Sequence, residues 1–252
     1  MKCFFLIIIL MISPLTLKAE PLKLVFPESY APLAWDDAGR MRGIGIDVLD
    51  ASLKDILNVD VSYKGYPWAR GQEEVRKGRS DGFVTVPTPD RLLYVTCSPE
   101  PLIVIELAVY TYANHPRRDE LLQVKTYDDL KGFVLLDYRG NGWTKNIAGG
   151  LNVIWANTLE QTYQLLAARR ADVVVRNNFN FDYFMKDQSL KVKFEKMPGV
   201  LSRIPLHLCI RKTSQYVSLL PAFSQTISDL REKGVIEEII RPYGHGPLAP
   251  GS

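Results

Sequence analysis

Cysteine and histidine are scarce: three of each in 252 residues. With Cys3, Cys97, Cys209, His115, His207 and His245 as the whole supply, the chain offers no basis for a zinc site. An excess of one charge sign is also missing. Thirty-one Lys and Arg oppose 28 Asp and Glu, for a formal net charge of +3. The charges are interspersed, so nothing electrostatic points to nucleic acid or to a membrane surface as partner. No Gly-x-Ser-x-Gly elbow, His-Glu-x-x-His helix, phosphate loop or other cofactor motif is found. Neither a repeat nor a low-complexity tract occurs, which argues against a solenoid.

Long apolar runs are lacking as well, with one informative exception. Met1, Lys2 and Cys3 precede an apolar run from Phe4 to Ile12, and a short stretch then ends at Leu17-Lys18-Ala19. That layout predicts a secretory signal peptide over residues 1–19, cleaved after Ala19. A membrane anchor is the alternative, but the run falls short of the roughly 20 residues that cross a bilayer. Cys3 precedes the run and so gives no support for a lipoprotein. Cleavage removes Lys2 and Lys18 and no acid, leaving a nearly neutral chain long enough for one large domain or two modest lobes. Cys97 and Cys209 then remain, and export would let them pair. From sequence they are either a disulfide or two separately buried thiols.

Strand and helix patterns alternate along the chain. Leu22 to Phe26 reads as a strand, and Asp36, Asp37 and Gly39 suggest a hairpin tip. Ile46, Leu49, Leu53 and Ile56 have helical spacing. Val59 to Tyr63 reads as a strand, Pro67 to Lys77 as a helix with proline in its first turn, and Gly82 to Val86 as a strand. Leu102 to Tyr112 is rich in β-branched and aromatic residues and is the most strand-like segment. A second alternation runs from Asp128-Asp129-Leu130 through Phe133 to Leu136, Leu159 to Ala168 and Ala171 to Val175. A late strand, Leu206 to Arg211, and helices over Val217 to Lys233 and Val235 to Ile240 end the pattern. Such βα units predict a mostly parallel α/β architecture.

Three segments carry a family likeness. Gly43-Ile44-Gly45-Ile46-Asp47-Val48 follows a strand and a Tyr-Ala-Pro turn. Pro67-Trp68-Ala69-Arg70 is followed by Val75, Gly78, Arg79 and Asp81. Thr88-Pro89-Asp90-Arg91 precedes Ser98-Pro99. In this order and spacing the set resembles the family 3 extracellular solute-binding proteins, the periplasmic amino-acid-binding subunits of ABC transporters, from about Leu22 to Tyr243. The resemblance is strong in the first half and weak in the second. It implies a two-lobed type II periplasmic-binding-protein fold, each lobe a mostly parallel sheet flanked by helices. Lobe one would comprise residues 20–103 and 206–247, lobe two residues 107–200, with hinge strands near 103–106 and 200–205. It further implies a monomer in the periplasm that closes on a small ligand between its lobes and presents it to a membrane permease. Both cysteines would then lie in lobe one near the hinge.

The same resemblance assigns roles to residues. Arg91 matches the arginine that pairs with a ligand carboxylate, a task suited to the planar fork of a guanidinium. Trp68 and Tyr30 match aromatic positions that flank the ligand, although either could serve core packing, and Trp35 could merely seal its turn. Thr85 and Thr88 flank the strand end before Arg91. Arg70 points either into the cleft or to solvent. Val86 stands where a polar residue is usual. In lobe two, Asp172-Val173-Val174-Val175-Arg176-Asn177 places Asn177 where the family carries an acid for the ligand's α-amino group, and asparagine supplies no charge. Asn141 and Gly142 belong to the loop Tyr138 to Thr144, a plain glycine turn or an anion site at a helix start. With Arg139 and Arg176 nearby, the expectation shifts toward a more anionic ligand, with Glu28 as the candidate negative group. An enzyme similar to the cyclohexadienyl dehydratases, using Glu28 or Glu106, is a rival reading, but neither acid sits in a catalytic motif. A sensor module that docks on a separate receptor is the other rival.

Overall fold

The computed structural model describes residues 20–139, 149–186 and 193–243. Nine strands among them form one sheet in the order β10-β9-β11-β8-β12-β6-β1-β5, with β7 paired to β12. These are β1 (Leu22–Pro27), β5 (Val61–Tyr66), β6 (Gly82–Thr85), β7 (Val95–Cys97), β8 (Ile103–Tyr112), β9 (Val134–Tyr138), β10 (Asn152–Ala156), β11 (Val173–Asn177) and β12 (Phe194–Arg211). A separate small sheet joins β2 (Ser29–Tyr30), β3 (Ala34–Asp37) and β4 (Arg40–Arg42). Its β3–β4 tip is closed by Asp36, whose Oδ1 accepts the Gly39 amide at 2.6 Å.

The sheet has two parallel halves. In one, β1 pairs parallel with β5 and β6; in the other, β9 pairs parallel with β10 and β11. Parallel strands bury both faces, and the side-chain alternation of β1 shows it. Leu22, Leu24 and Phe26 pack with α1 (Ile44–Leu49), α7 (Leu220–Glu232) and α8 (Val235–Ile240), while Val25 packs with Val75, Phe83 and Val95 on the opposite face. In the other half Val173 and Val175 face Leu121, Leu135 and Met197, and Val174 faces Tyr110, Tyr163 and Phe181. Most expected strands and helices are present with small boundary shifts. The apolar spacing from Ile44 to Ile56 is a six-residue α-helix that widens into a π-helical segment over Asp50–Ile56.

Two elements depart from the sequence reading. The late strand begins at Phe194, twelve residues before Leu206, and pairs antiparallel with β8 before continuing to β6 and β7. Its register slips between Lys196 and Ser202, around Pro198 and Gly199. These residues break strand periodicity and hide the strand from pattern reading. A Cβ at Gly199 would collide with the Val124 carbonyl, so only glycine fits that approach. The second departure is a helix, α6 (Asn178–Lys186), directly after β11. Its three early asparagine and aromatic residues read as loop by propensity. Phe179 overrides that preference by burying completely in the same core cluster that holds β1 and α1.

Cys97 and Cys209 lie directly opposite each other on β7 and β12 and form a disulfide. The alternative of two separate thiols is thereby removed.

Candidate functional site: the cleft between the halves

Ligands of open α/β sheets collect beyond the carboxyl ends of parallel strands. Three segments leave that edge of the first half: β1 runs into Glu28, β5 into α2 (Trp68–Arg76), and β6 into α3 (Pro89–Leu92). Glu28 packs beside Gly65 near the end of β5. Gly43 has φ of +128° and sits where a side chain would meet the Leu33 carbonyl oxygen. That contact holds the start of α1 against the Tyr30–Leu33 turn, with Ile44 N donating to Pro32 O and Gly45 N to Leu33 O, both at 2.9 Å.

A cleft of about 790 Å³ opens between the two halves. Glu28, Tyr30, Trp35 and Asp36 line it from the first half. Tyr138, Glu160, Arg176, Asn177, Asn180 and Tyr183 line it from the second, and Ile105 and Ile204 of the central strands form its floor. Of the residues singled out from sequence, Glu28, Tyr30, Trp35, Arg176 and Asn177 therefore share this cleft. Trp68, Arg70, Thr85, Thr88 and Arg91 are not among its lining residues. Asn141 and Gly142 lie outside the described residues.

The cleft is bridged by direct contacts. The Asn177 amide nitrogen donates to the Tyr30 hydroxyl at 3.1 Å and to the side-chain oxygen of Asn180. Asn177 Oδ1 accepts the Asn180 backbone amide at 2.8 Å, and the Asn180 side chain donates to the Ala31 carbonyl. Both donors of Asn177 are thus engaged within the protein. Asn178 extends the contact to the central strands, accepting from Glu106 N at 3.1 Å. Trp35 meets Tyr183 with ring centroids 5.9 Å apart. Burial pushes the Tyr30 phenol up to about 12, so it stays neutral at ordinary pH.

Arg176 is 5% exposed, and its Nη1 lies 3.0 Å from Oδ1 of Asp137, itself 1% exposed. Nη1 also donates to Val175 O, and Nη2 to the Thr162 hydroxyl at 3.1 Å. The ring of Tyr138 lies 5.8 Å from the guanidinium carbon. Arg139 is exposed and does not line the cleft. The positive wall expected from these two arginines is therefore reduced to one cation with its own buried counter-ion.

Outside the cleft lining, Arg91 forms a second constellation at the carboxyl edge. Its Nε donates to Gln72 Oε1 at 3.1 Å, its Nη1 to the Val86 carbonyl at 3.0 Å, and its guanidinium lies 5.5 Å from the Trp68 ring centre. Trp68 in turn packs edge-on against Phe83 at 5.6 Å. Partial burial lowers the Arg91 pKa from its ordinary value, leaving it a cation at neutral pH. No ion pair joins it to a carboxylate among the described residues. Arg70 is a surface residue beside this group, its side chain 68% exposed and its guanidinium 5.1 Å from the Tyr66 ring. Thr85 is buried opposite His207 of β12, and Thr88 caps α3 through its backbone oxygen, which accepts from Leu92 N.

Pattern reading missed Asn180 and Tyr183, which arrive with α6, and Asn157 to Glu160, which open α5 (Leu159–Ala167) onto the cleft. The second set had a legible signal. Thr158 accepts the Gln161 amide at 3.2 Å while Gln161 Oε1 accepts the Asn157 amide at 2.8 Å, a reciprocal cap that follows from Thr-x-x-Gln spacing.

Known proteins share this architecture. A probable amino-acid ABC transporter extracellular-binding protein of Bacillus subtilis superposes with a TM-score of 0.71 at 12% identity, covering 90% of this chain and 98% of its own. The L-cystine solute receptor of Neisseria gonorrhoeae, in an unliganded open conformation, gives 0.70 at 17% identity, with 92% and 95% covered. A histidine kinase sensor domain with similarity to periplasmic binding proteins gives 0.67 at 19% identity, with 91% and 98% covered. No curated relative matches the sequence. The family match itself extends over residues 22–246. The two-lobed type II fold and that match, taken together, place the chain in family 3 of the bacterial extracellular solute-binding proteins.

Proposed function

We propose that this protein captures a small polar solute bearing a carboxylate and hands it to the membrane permease of an ABC transporter, without transforming it. The observation that carries this reading is the state of Arg91. Its guanidinium is half-buried, aimed by Gln72, the Val86 carbonyl and the Trp68 ring, and has no carboxylate partner among the described residues. A preoriented, partly desolvated guanidinium of this kind is a receptor for a ligand carboxylate. Lobe one comprises residues 20–103 and 206–247 and lobe two residues 107–200, so that β8 and β12 form the hinge. Closure of that hinge brings the cleft wall toward the Arg91 edge. The bridged cleft supplies the closed surface that a permease reads. Export through a cleaved leader places the protein in the periplasm, where it acts as a monomer.

A thermal-shift screen against amino acids and small organic acids tests the reading, because a ligand bound to the native state raises the melting temperature. A rise with one acid that is lost in Arg91→Ala supports it. A rise that survives Arg91→Ala removes Arg91 from the site. Kinase-sensor similarity favours a second reading, in which the same closed surface is read by a membrane receptor. Uptake of the identified solute in a strain lacking the protein separates the two: transport requires the protein, sensing does not.

A further inference from the structure

The motif segment Gly78-Arg79-Ser80-Asp81 is absent from the lining of the solute cleft. It lies at the opposite, amino edge of the first half, where β1 and β6 begin side by side. Two other parts of the chain meet it there: Glu20 to Lys23 at the start of β1, and Arg211 to Tyr216 at the end of β12. The three segments enclose a small pocket of about 150 Å³. Backbone bonds fix its frame, with Asp81 N donating to Lys23 O at 2.8 Å and Arg211 N to Asp81 O at 2.7 Å.

Lys23, Arg79 and Arg211 line this pocket against two acids, Glu20 and Asp81. All but one of these charges are already committed. Glu20 pairs with Lys23 at 2.7 Å, and Arg79 with Glu74 at 2.7 Å. Asp81 accepts from Lys23 N at 2.9 Å on one oxygen and from the Ser214 hydroxyl at 2.7 Å on the other. Arg211 differs. It has no carboxylate partner among the described residues, and only its Nη1 is engaged, by the Thr213 hydroxyl. Its Nε is sealed from water and makes no hydrogen bond, a costly state for a buried donor. Nη2 is the donor left for a ligand. Gly78, at φ of +74°, forms the floor under the guanidinium: a Cβ there would stand 3.3 Å from its central carbon. Ser80, 9% exposed and also on the lining, has a hydroxyl with no partner among the described residues.

We propose that this pocket is a second binding site, which takes a phosphate group on Arg211 Nη2 and the Ser80 hydroxyl with the Lys23 ammonium at its rim. An uncommitted guanidinium beside a free hydroxyl is a receptor for an oxyanion. Donors that arrive from three separate segments suit a tetrahedral group better than a planar carboxylate. The site is remote from Arg91 and independent of the capture reading. Phosphate bound there ties the start of the chain to the hinge strand β12 and stabilises the first half by mass action.

Inorganic phosphate titrated into the isotope-labelled protein at constant ionic strength, and followed by amide NMR, tests the site. Thermal shift is unsuited, because phosphate stabilises folded proteins in general by exclusion from their surfaces. Amide shifts are expected to saturate at millimolar phosphate and to cluster at residues 78–81 and 211–216. Arg211→Gln should weaken binding about tenfold. Ser80→Ala should weaken it about threefold, and it keeps the test decisive where the arginine variant fails to fold. Shifts that rise linearly or scatter over the surface mark an adventitious ion only and overturn the site, as does a response centred on Arg91. Acetate binding as tightly as phosphate overturns the tetrahedral assignment, and full affinity in both variants overturns the placement. Flotation with phosphatidylglycerol vesicles identifies the source once the shifts are seen. Protein that floats, and ceases to do so in Arg211→Gln, takes the phosphate of a lipid headgroup; protein that stays in solution takes the free ion.

Discussion

Two arginines in opposite halves of the molecule illustrate two ways of keeping a charge in a folded protein. Arg91 keeps part of its surface in water and is held by neutral groups: an amide oxygen, a backbone carbonyl and an indole face. Arg176 is almost completely buried and is matched by an equally buried aspartate. The difference follows from desolvation, because a fully buried charge persists only when paired, whereas a half-buried one needs no counter-ion. The functional consequence runs opposite to what counting arginines suggests. Arg91 still has charge to offer a ligand, and Arg176 has little.

Removing the counter-ion from Arg176 should have the largest effect. Asp137→Ala leaves a buried guanidinium unpaired and should cost about 3–5 kcal/mol of stability, read as a fall in the urea midpoint. A loss no larger than that of an ordinary surface substitution would mean that Arg176 reaches water and the contrast with Arg91 is false. Next comes the disulfide, which links positions 112 residues apart in the same half as Arg91. Cys97→Ser with Cys209→Ser should lower stability by about 2–4 kcal/mol, as should a reducing agent on the native protein. Equal melts with and without reductant would show that β7 and β12 hold without the bond. Arg91→Ala should weaken ligand binding about tenfold, equivalent to about 1.4 kcal/mol, with an unchanged melt for the ligand-free protein. A comparable loss of stability would instead make Arg91 a structural residue like Arg176. Smallest is Tyr30→Phe, which deletes the hydroxyl that accepts from Asn177 across the cleft. About 1 kcal/mol lost from the bridged form should increase the radius of gyration measured by X-ray scattering, and no change would show that the other bridges suffice.

Much of the architecture was legible because it is written in local periodicity. The i, i+3, i+7 spacing of Ile46, Leu49 and Leu53 and the β-branched run from Ile103 to Tyr112 each encode an element whose partners need not be known. The missed elements were those in which tertiary contact outweighs propensity. β12 crosses Pro198 and Gly199 and still forms because β8 supplies its hydrogen-bond partners. Helix α6 starts in asparagines and is held by the burial of Phe179. The candidate site divides along the same line. Tyr30 and Asn177 were singled out by their places in the family resemblance and Glu28 only as a candidate acid, whereas Asn180 and Tyr183 enter only once α6 exists.

Local pattern in the chain carried the alternating strands and helices, the expectation of a leader over residues 1–19 and the order of the three family motifs. Each of these depends on residues close together in the chain. The pairing of Cys97 with Cys209, the binding of Arg176 by Asp137 and the engagement of Asn177 by Tyr30 were decided by tertiary structure alone. They join residues 112, 39 and 147 positions apart, and strand register and depth of burial select such partners. No local pattern carries that information.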